Sequence, residues 1–115
     1  MAEKPGQNIA ALDVDFSWKQ EHRCSSKSPE IRVAGIPAGT KLLKVTLVDL
    51  DVPFWNHGGG TVENDGSGVI PAEALKSGYN GPCPPGGSHR YEFTVAAIDE
   101  QGRVIASGKK MEKFP

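Results

Sequence analysis

Lys41-Leu42-Leu43-Lys44-Val45-Thr46-Leu47-Val48 is the stretch on which the fold turns. In an extended chain Leu43, Val45 and Leu47 share one face, and Leu42, Lys44, Thr46 and Val48 share the other. Apolar residues on both faces predict a central strand, covered on its second side toward its end. The same period of two returns over Arg90–Asp99, with Tyr91, Phe93, Val95 and Ala97 on one face. Asp99-Glu100-Gln101-Gly102 then reads as a hairpin turn into Val104–Gly108. Val14-Asp15-Phe16-Ser17-Trp18 alternates like a half-buried strand, and Ile31-Arg32-Val33 is a shorter one. Phe114 is expected to pack back on the core.

Between these runs the chain is turn chemistry. Fourteen glycines and nine prolines in 115 residues suit many turns joining short strands. Ile36–Thr40 is one such turn and Lys19–Pro29 a polar loop. The glycine-rich residues 54–68 are either a long loop or two very short strands. Val69–Leu75 could open a short helix with Pro71 in its first turn. Gly78–Ser88 carries three prolines and four glycines. The fold class that follows is all-β, an antiparallel β-sandwich with little helix. The length allows one domain, residues 13–115, preceded by a loosely held arm over residues 1–12.

A net charge of −1 gives no electrostatic reason to expect nucleic acid. Arg103, Lys109, Lys110 and Lys113 come nearest to a basic patch, and they read as a lysine-protected edge strand. No apolar run is long enough to span a membrane. Residues 1–12 lack the apolar centre of a signal peptide, although they could equally begin a mature exported chain. Cys24 and Cys83 suit a disulfide in an oxidising compartment and two small buried hydrophobes in a reducing one.

Asp49 and Asp51 stand two apart at a strand end, where extended geometry would send both side chains the same way. Such a pair can hold a metal, act as acid and base, or brace neighbouring loops, and bracing is the commonest role. His57 precedes Gly58-Gly59-Gly60 and His89 follows Gly86-Gly87-Ser88, so little side-chain bulk covers either. An imidazole in such a place can donate to an oxyanion, or be an ordinary hydrogen-bonded structural residue. His22 has no such setting. Asp49, Asp51, His57 and His89 form a mixed N/O set that zinc could use; the balance of the reading is against a metal, and no cofactor is expected. No nucleophile motif is present.

Three pieces, in order, resemble one family. Gly39-Thr40-Lys41-Leu42-Leu43 leading to Asp49-Leu50-Asp51-Val52-Pro53 is similar to the G-T-K-S-L…D-P-D-A-P stretch of phosphatidylethanolamine-binding proteins. Trp55-Asn56-His57 resembles their W-x-H element. Gly81-Pro82-Cys83-Pro84-Pro85-Gly86-Gly87-Ser88-His89-Arg90-Tyr91 resembles their G-P-C-P-P-x-G-x-H-R-Y segment. The resemblance spans roughly Phe16 to Asp99 and looks like a short bacterial-type version. It departs where Leu50 replaces the central proline of D-P-D and where glycines follow His57.

The resemblance implies a β-sandwich with a small anion-seeking pocket at Asp49, His57, His89 and Tyr91. Asp51, Pro53, Trp55 and Pro82 border it. It implies a non-enzymatic binding module for phosphate, carboxylate or a phosphorylated head group. The second implied class is a protein-interaction or inhibitor protein regulating a kinase or protease, and an enzyme comes third. The resemblance also places the Cys24 and Cys83 loops at one end of the sandwich. It thereby implies a disulfide between them in a periplasmic or secreted protein, the alternative being unpaired thiols in the cytoplasm.

Overall fold

The computed structural model describes residues 9–115. Its strands are β1 Ala10–Ala11, β2 Asp13–Asp15, β3 Ile31–Ala34, β4 Leu42–Asp49, β5 Gly59–Glu63, β6 Val69–Ile70, β7 His89–Ile98 and β8 Val104–Phe114. They form a five-stranded sheet in the order β1-β8-β7-β4-β5 and a three-stranded sheet in the order β2-β3-β6. The protein is all-β. Among the described residues the one helical element is a 3₁₀ turn at Gln20–His22. The pairings between strands are antiparallel save one, since β1 runs parallel to β8 through Ala10–Ala106 and Ala11–Ser107.

β4 lies between β7 and β5, the central place its pattern predicts. Leu43, Val45 and Leu47 are buried on its inner face. Its other face is not covered: Lys44 and Thr46 are exposed, and Leu42 and Val48 are half-buried. β7 supplies Tyr91, Phe93, Val95 and Ala97, all fully buried, and burying each larger side chain contributes about 1.5–3 kcal/mol. Val14, Phe16, Ile31, Val33 and Ile70 of the smaller sheet and its flanks belong to the same core.

The hairpin between β7 and β8 forms where the sequence places it. Asp99 accepts the Gln101 and Arg103 amides at 3.0 and 2.9 Å on Oδ1, and Gly102 sits at a positive φ of 81°. β8 runs past Gly108 to Phe114, which is buried against the core. Among the described residues no strand pairs with β8 beyond Ser107 on its β1 side; within that stretch Trp18 Nε1 donates to the Glu112 carbonyl at 3.3 Å, and the β8 lysines stand along it.

Two expectations change. Val69–Leu75 is no helix: Val69–Ile70 pairs with β3, and Pro71–Ala74 is a turn with Glu73 at a positive φ of 68°. The amides of Glu73 and Leu75 go to Ser28, at its carbonyl (2.9 Å) and hydroxyl (3.2 Å), so no helical ladder can form. Of the arm expected over residues 1–12, residues 1–8 lie outside the described residues. Ala10–Ala11 is tied to β8, and Leu12 is buried with its amide on the Ser107 carbonyl.

Candidate functional site

Asp49 is the last residue of β4 and the next inward position after Leu47, so the strand's own alternation carries a carboxylate into the core. Its register partner is Tyr91, and His89 lies two residues earlier on the same face of β7. Asp49 Oδ2 accepts from His89 Nδ1 at 2.7 Å. Oδ1 accepts the amides of Asp51 and Val52 at 2.8 and 3.1 Å. Burial works to raise the Asp49 carboxyl, but the His89 hydrogen bond and the two amides outweigh it and hold it below the ordinary carboxylate value.

These amide bonds curl the chain away from the strand at residues 50–52. Asp51 therefore does not project beside Asp49, as extended geometry would have it. It faces outward onto Arg90, accepting Nη2 and Nε at 2.9 and 3.2 Å and the Arg90 amide at 2.7 Å. The Arg90 side chain and then its amide hold the Asp51 carboxyl low. Asp49, Asp51 and His89 each bring one ligand atom within 4.8 Å of the others. Their oxygens already accept from Arg90, His89 and the backbone, so the positive charge this cluster balances is the protein's own.

His57 reaches the same place from the other side. Its Nδ1 meets the Asn80 carbonyl at 2.8 Å, and the Asn80 amide returns a bond to the His57 carbonyl at 2.9 Å. A carbonyl only accepts, so Nδ1 carries the proton and Nε2 is the free end of the ring. The His57 ring meets Tyr91 edge-on at 5.6 Å between centroids, while Trp55, His89 and Tyr91 form a stack at 6.5 and 6.3 Å. Trp18 packs edge-on behind Tyr91 at 6.0 Å. Among the described residues His57 Nε2 and the Tyr91 hydroxyl are buried with no hydrogen bond of ordinary geometry, although the Asp49 carboxylate and the Cys83 backbone lie close to the hydroxyl. Burial, and next the Asp49 carboxylate, push the Tyr91 hydroxyl up to about 12, so it remains a donor.

The wall beside this cluster is the proline segment. Pro82 is fully buried and Cys83 is joined to Cys24 with 4.5 Å between Cα atoms. The Cys24 amide donates to the Pro82 carbonyl and the Gly81 amide to the Ser25 carbonyl, both at 2.8 Å. Disulfide and backbone thus pin the loop after the first strands to the wall. His22 caps that loop from within, its Nδ1 accepting the Lys19 amide at 2.8 Å, a structural role.

The predicted residues do not all share one cavity. Pro53, Trp55 and His57 line a groove of about 490 Å³ that runs over Lys44, Thr46 and Val48 of β4 and Gly59 and Gly60 of β5. Asp49, His89 and Tyr91 sit behind it, beneath Trp55. Asn80 and Trp18 had no signal in the sequence: one acts through its backbone, and the other is recruited across the sheet. Arg90 was visible only as part of a motif, since its partner Asp51 is 39 residues away.

Comparison with known proteins agrees with the fold. The chain is 36% identical over 94 residues to the UPF0098 protein YbhB of Escherichia coli K12, and 33% identical over 91 residues to a UPF0098 protein of Methanothermobacter thermautotrophicus. Each match takes in 63% of this chain and 60% of the relative, so the chain matches only about three fifths of their length. Its fold superposes on a phosphatidylethanolamine-binding protein homologue from Chlamydia trachomatis with a TM-score of 0.68, at 22% identity, covering 95% of this chain and 99% of the other. Escherichia coli YbcL gives the same score at 21% identity, with 90% and 97% covered. Residues 2–114 match the phosphatidylethanolamine-binding protein family, and the chain belongs to it.

Proposed function

We propose that the protein is a non-enzymatic binding module that holds a small oxyanion, a phosphate, carboxylate or phosphorylated head group, between His57, His89 and Tyr91. The observation that carries this reading is that two of the three buried side-chain atoms without partners among the described residues, His57 Nε2 and the Tyr91 hydroxyl, lie on neighbouring rings, the third being the Tyr79 hydroxyl outside the cluster. Leaving such an atom unpaired costs about 1–3 kcal/mol, and two on rings that meet edge-on suit a ligand between them. Asp49 fixes His89 so that its Nε2 is the end turned away from the carboxylate. A tyrosine hydroxyl donates, and each imidazole donates from Nε2 once protonated, which is the equipment for an anion's oxygens.

A catalytic reading has less support. Both cysteines are consumed in the disulfide, and the Ser88 hydroxyl donates to the Pro115 carbonyl at 2.9 Å although it neighbours His89. Neither side chain stands ready as a nucleophile. The disulfide supports an oxidising, exported location.

The test is a phosphate titration followed on the imidazole NMR signals. His57 and His89 are expected to shift together with one saturation curve while His22 stays fixed. Equal movement of His22 would overturn the placement.

A further inference from the structure

Asn80 is the one asparagine of the sequence that precedes a glycine; Asn8, Asn56 and Asn64 are followed by Ile9, His57 and Asp65. Packing requires that glycine. A Cβ on Gly81 would stand 2.6 Å from the His22 carbonyl oxygen and 2.8 Å from that of Ser25. The same missing Cβ removes the bulk that would keep the Gly81 nitrogen from the Asn80 side-chain carbonyl. In the fold, backbone bonds hold both residues. The Gly81 amide donates to the Ser25 carbonyl at 2.8 Å, and the Asn80 amide to the His57 carbonyl at 2.9 Å. The Asn80 carbonyl accepts from His57 Nδ1 at 2.8 Å and so sets the direction of that ring. The Asn80 side chain is exposed, and its Nδ2 donates to the Gly78 carbonyl at 3.3 Å.

We propose that Asn80–Gly81 is a latent deamidation site, silenced by the Gly81–Ser25 bond and the adjoining Cys24–Cys83 disulfide and released when that disulfide is reduced. The reaction consumes only water. The Gly81 nitrogen loses its proton to solvent base and attacks Asn80 Cγ. An N–Cγ bond forms, the Cγ–Nδ2 bond breaks, and ammonia leaves. Water then opens the cyclic imide. Cleavage at Cγ gives aspartate in an unaltered backbone. Cleavage at the α-carbonyl gives isoaspartate: the chain now runs through Cγ, and the former Asn80 carbonyl becomes a carboxylate. Either product exchanges NH for O and adds one negative charge. In the oxidised fold the attacking nitrogen is committed to Ser25, and the disulfide ties Cys83, two residues on, to Cys24, the neighbour of Ser25. A peptide held at both ends cannot turn its nitrogen onto Cγ. Reduction removes the covalent tie and leaves the local bonds free to open. Isoaspartate would lengthen the backbone where it pairs with His57, so the change acts on the ring that Asn80 orients. The chemistry is independent of what the site binds.

Peptide-mapping mass spectrometry over days in warm, mildly alkaline buffer tests this on the protein in three states: oxidised, reduced with a phosphine, and unfolded in urea. Asn80 in the oxidised protein should convert at least tenfold more slowly than in urea, and reduction should raise the folded rate at least fivefold. Asn80→Gln should abolish the mass gain in all three states. The isolated isoaspartyl product should move the His57 imidazole NMR signals. Asn80→Asp carries the same charge on an unaltered backbone and should leave them near their wild-type positions. Oxidised protein that deamidates at the urea rate would overturn the silencing by Ser25. Reduced protein that keeps its β spectrum and its slow rate would overturn the disulfide as the latch. Acceleration found only where far-UV spectra show unfolding overturns it equally. A mass gain that persists in Asn80→Gln assigns the reaction to another asparagine, and an isoaspartyl product with unmoved His57 signals removes the consequence for the site.

Discussion

Tyr91→Phe separates the demands of folding from those of binding. The ring is fully buried, and among the described residues its hydroxyl makes no hydrogen bond of ordinary geometry, although the Asp49 carboxylate and the Cys83 backbone lie close enough to act on it. Removing that oxygen keeps the contacts with His57, His89 and Trp18 and deletes a desolvated donor whose burial costs about 1–3 kcal/mol. The protein without ligand should therefore gain stability. For a domain of this size each kcal/mol moves Tm by roughly 4 °C, so a rise of about 4–12 °C is expected. Phosphate affinity should fall at the same time, because a hydrogen bond to a charged group contributes about 1.5–3 kcal/mol, roughly ten- to a hundredfold. Tyr79 is the matched control. It too has a buried hydroxyl without a partner, its ring lies flat over Phe93 at 6.3 Å, and it stands outside the His57–His89 cluster. Tyr79→Phe should stabilise without touching affinity. Thermal melts with and without phosphate read both quantities in one experiment. A Tyr91→Phe protein that melts lower, or binds phosphate as wild type does, refutes the reasoning.

Two further outcomes follow from the same structure. Reducing the Cys24–Cys83 bond, which closes 59 residues of sequence separation, should cost about 4 kcal/mol on the chain-entropy account. Urea melts with and without a phosphine reductant measure it, and coincident curves would show that the backbone bonds at Pro82 and Ser25 already fix the wall. Asp49, Asp51 and Asp99 are all held below the ordinary carboxylate value, Asp99 first by the Arg103 amide. The stability they contribute is therefore fully present above about pH 4 and is lost as pH falls below it through the depressed values. Asp49→Asn should flatten that acid limb of a pH-dependent melt, and an unchanged limb would remove Asp49 from the account.

Much of the architecture was written in short-range pattern. The alternation at Leu43–Leu47 and Tyr91–Ala97 named the two strands that make the centre of the larger sheet, because a period of two is a local property of extended backbone. Asp99–Gly102 named its own turn for the same reason: the cap, the amides it accepts and the glycine lie within five residues. The motif residues Asp49, His57, His89 and Tyr91 were also legible, since their order and spacing are features of the chain itself. Val69–Leu75 misled because its helix-compatible residues compete with Ser28, more than forty positions away, for the same amides. Asp51 misled because one Asp49 oxygen captures the next two amides and ends the strand before the second carboxylate. Tertiary structure alone decided that Trp55 covers His89, that Asn80 turns His57 so its free nitrogen points inward, and that Phe54 is left in the open. Contacts of that kind depend on where separate loops meet, and no local preference of the chain encodes it.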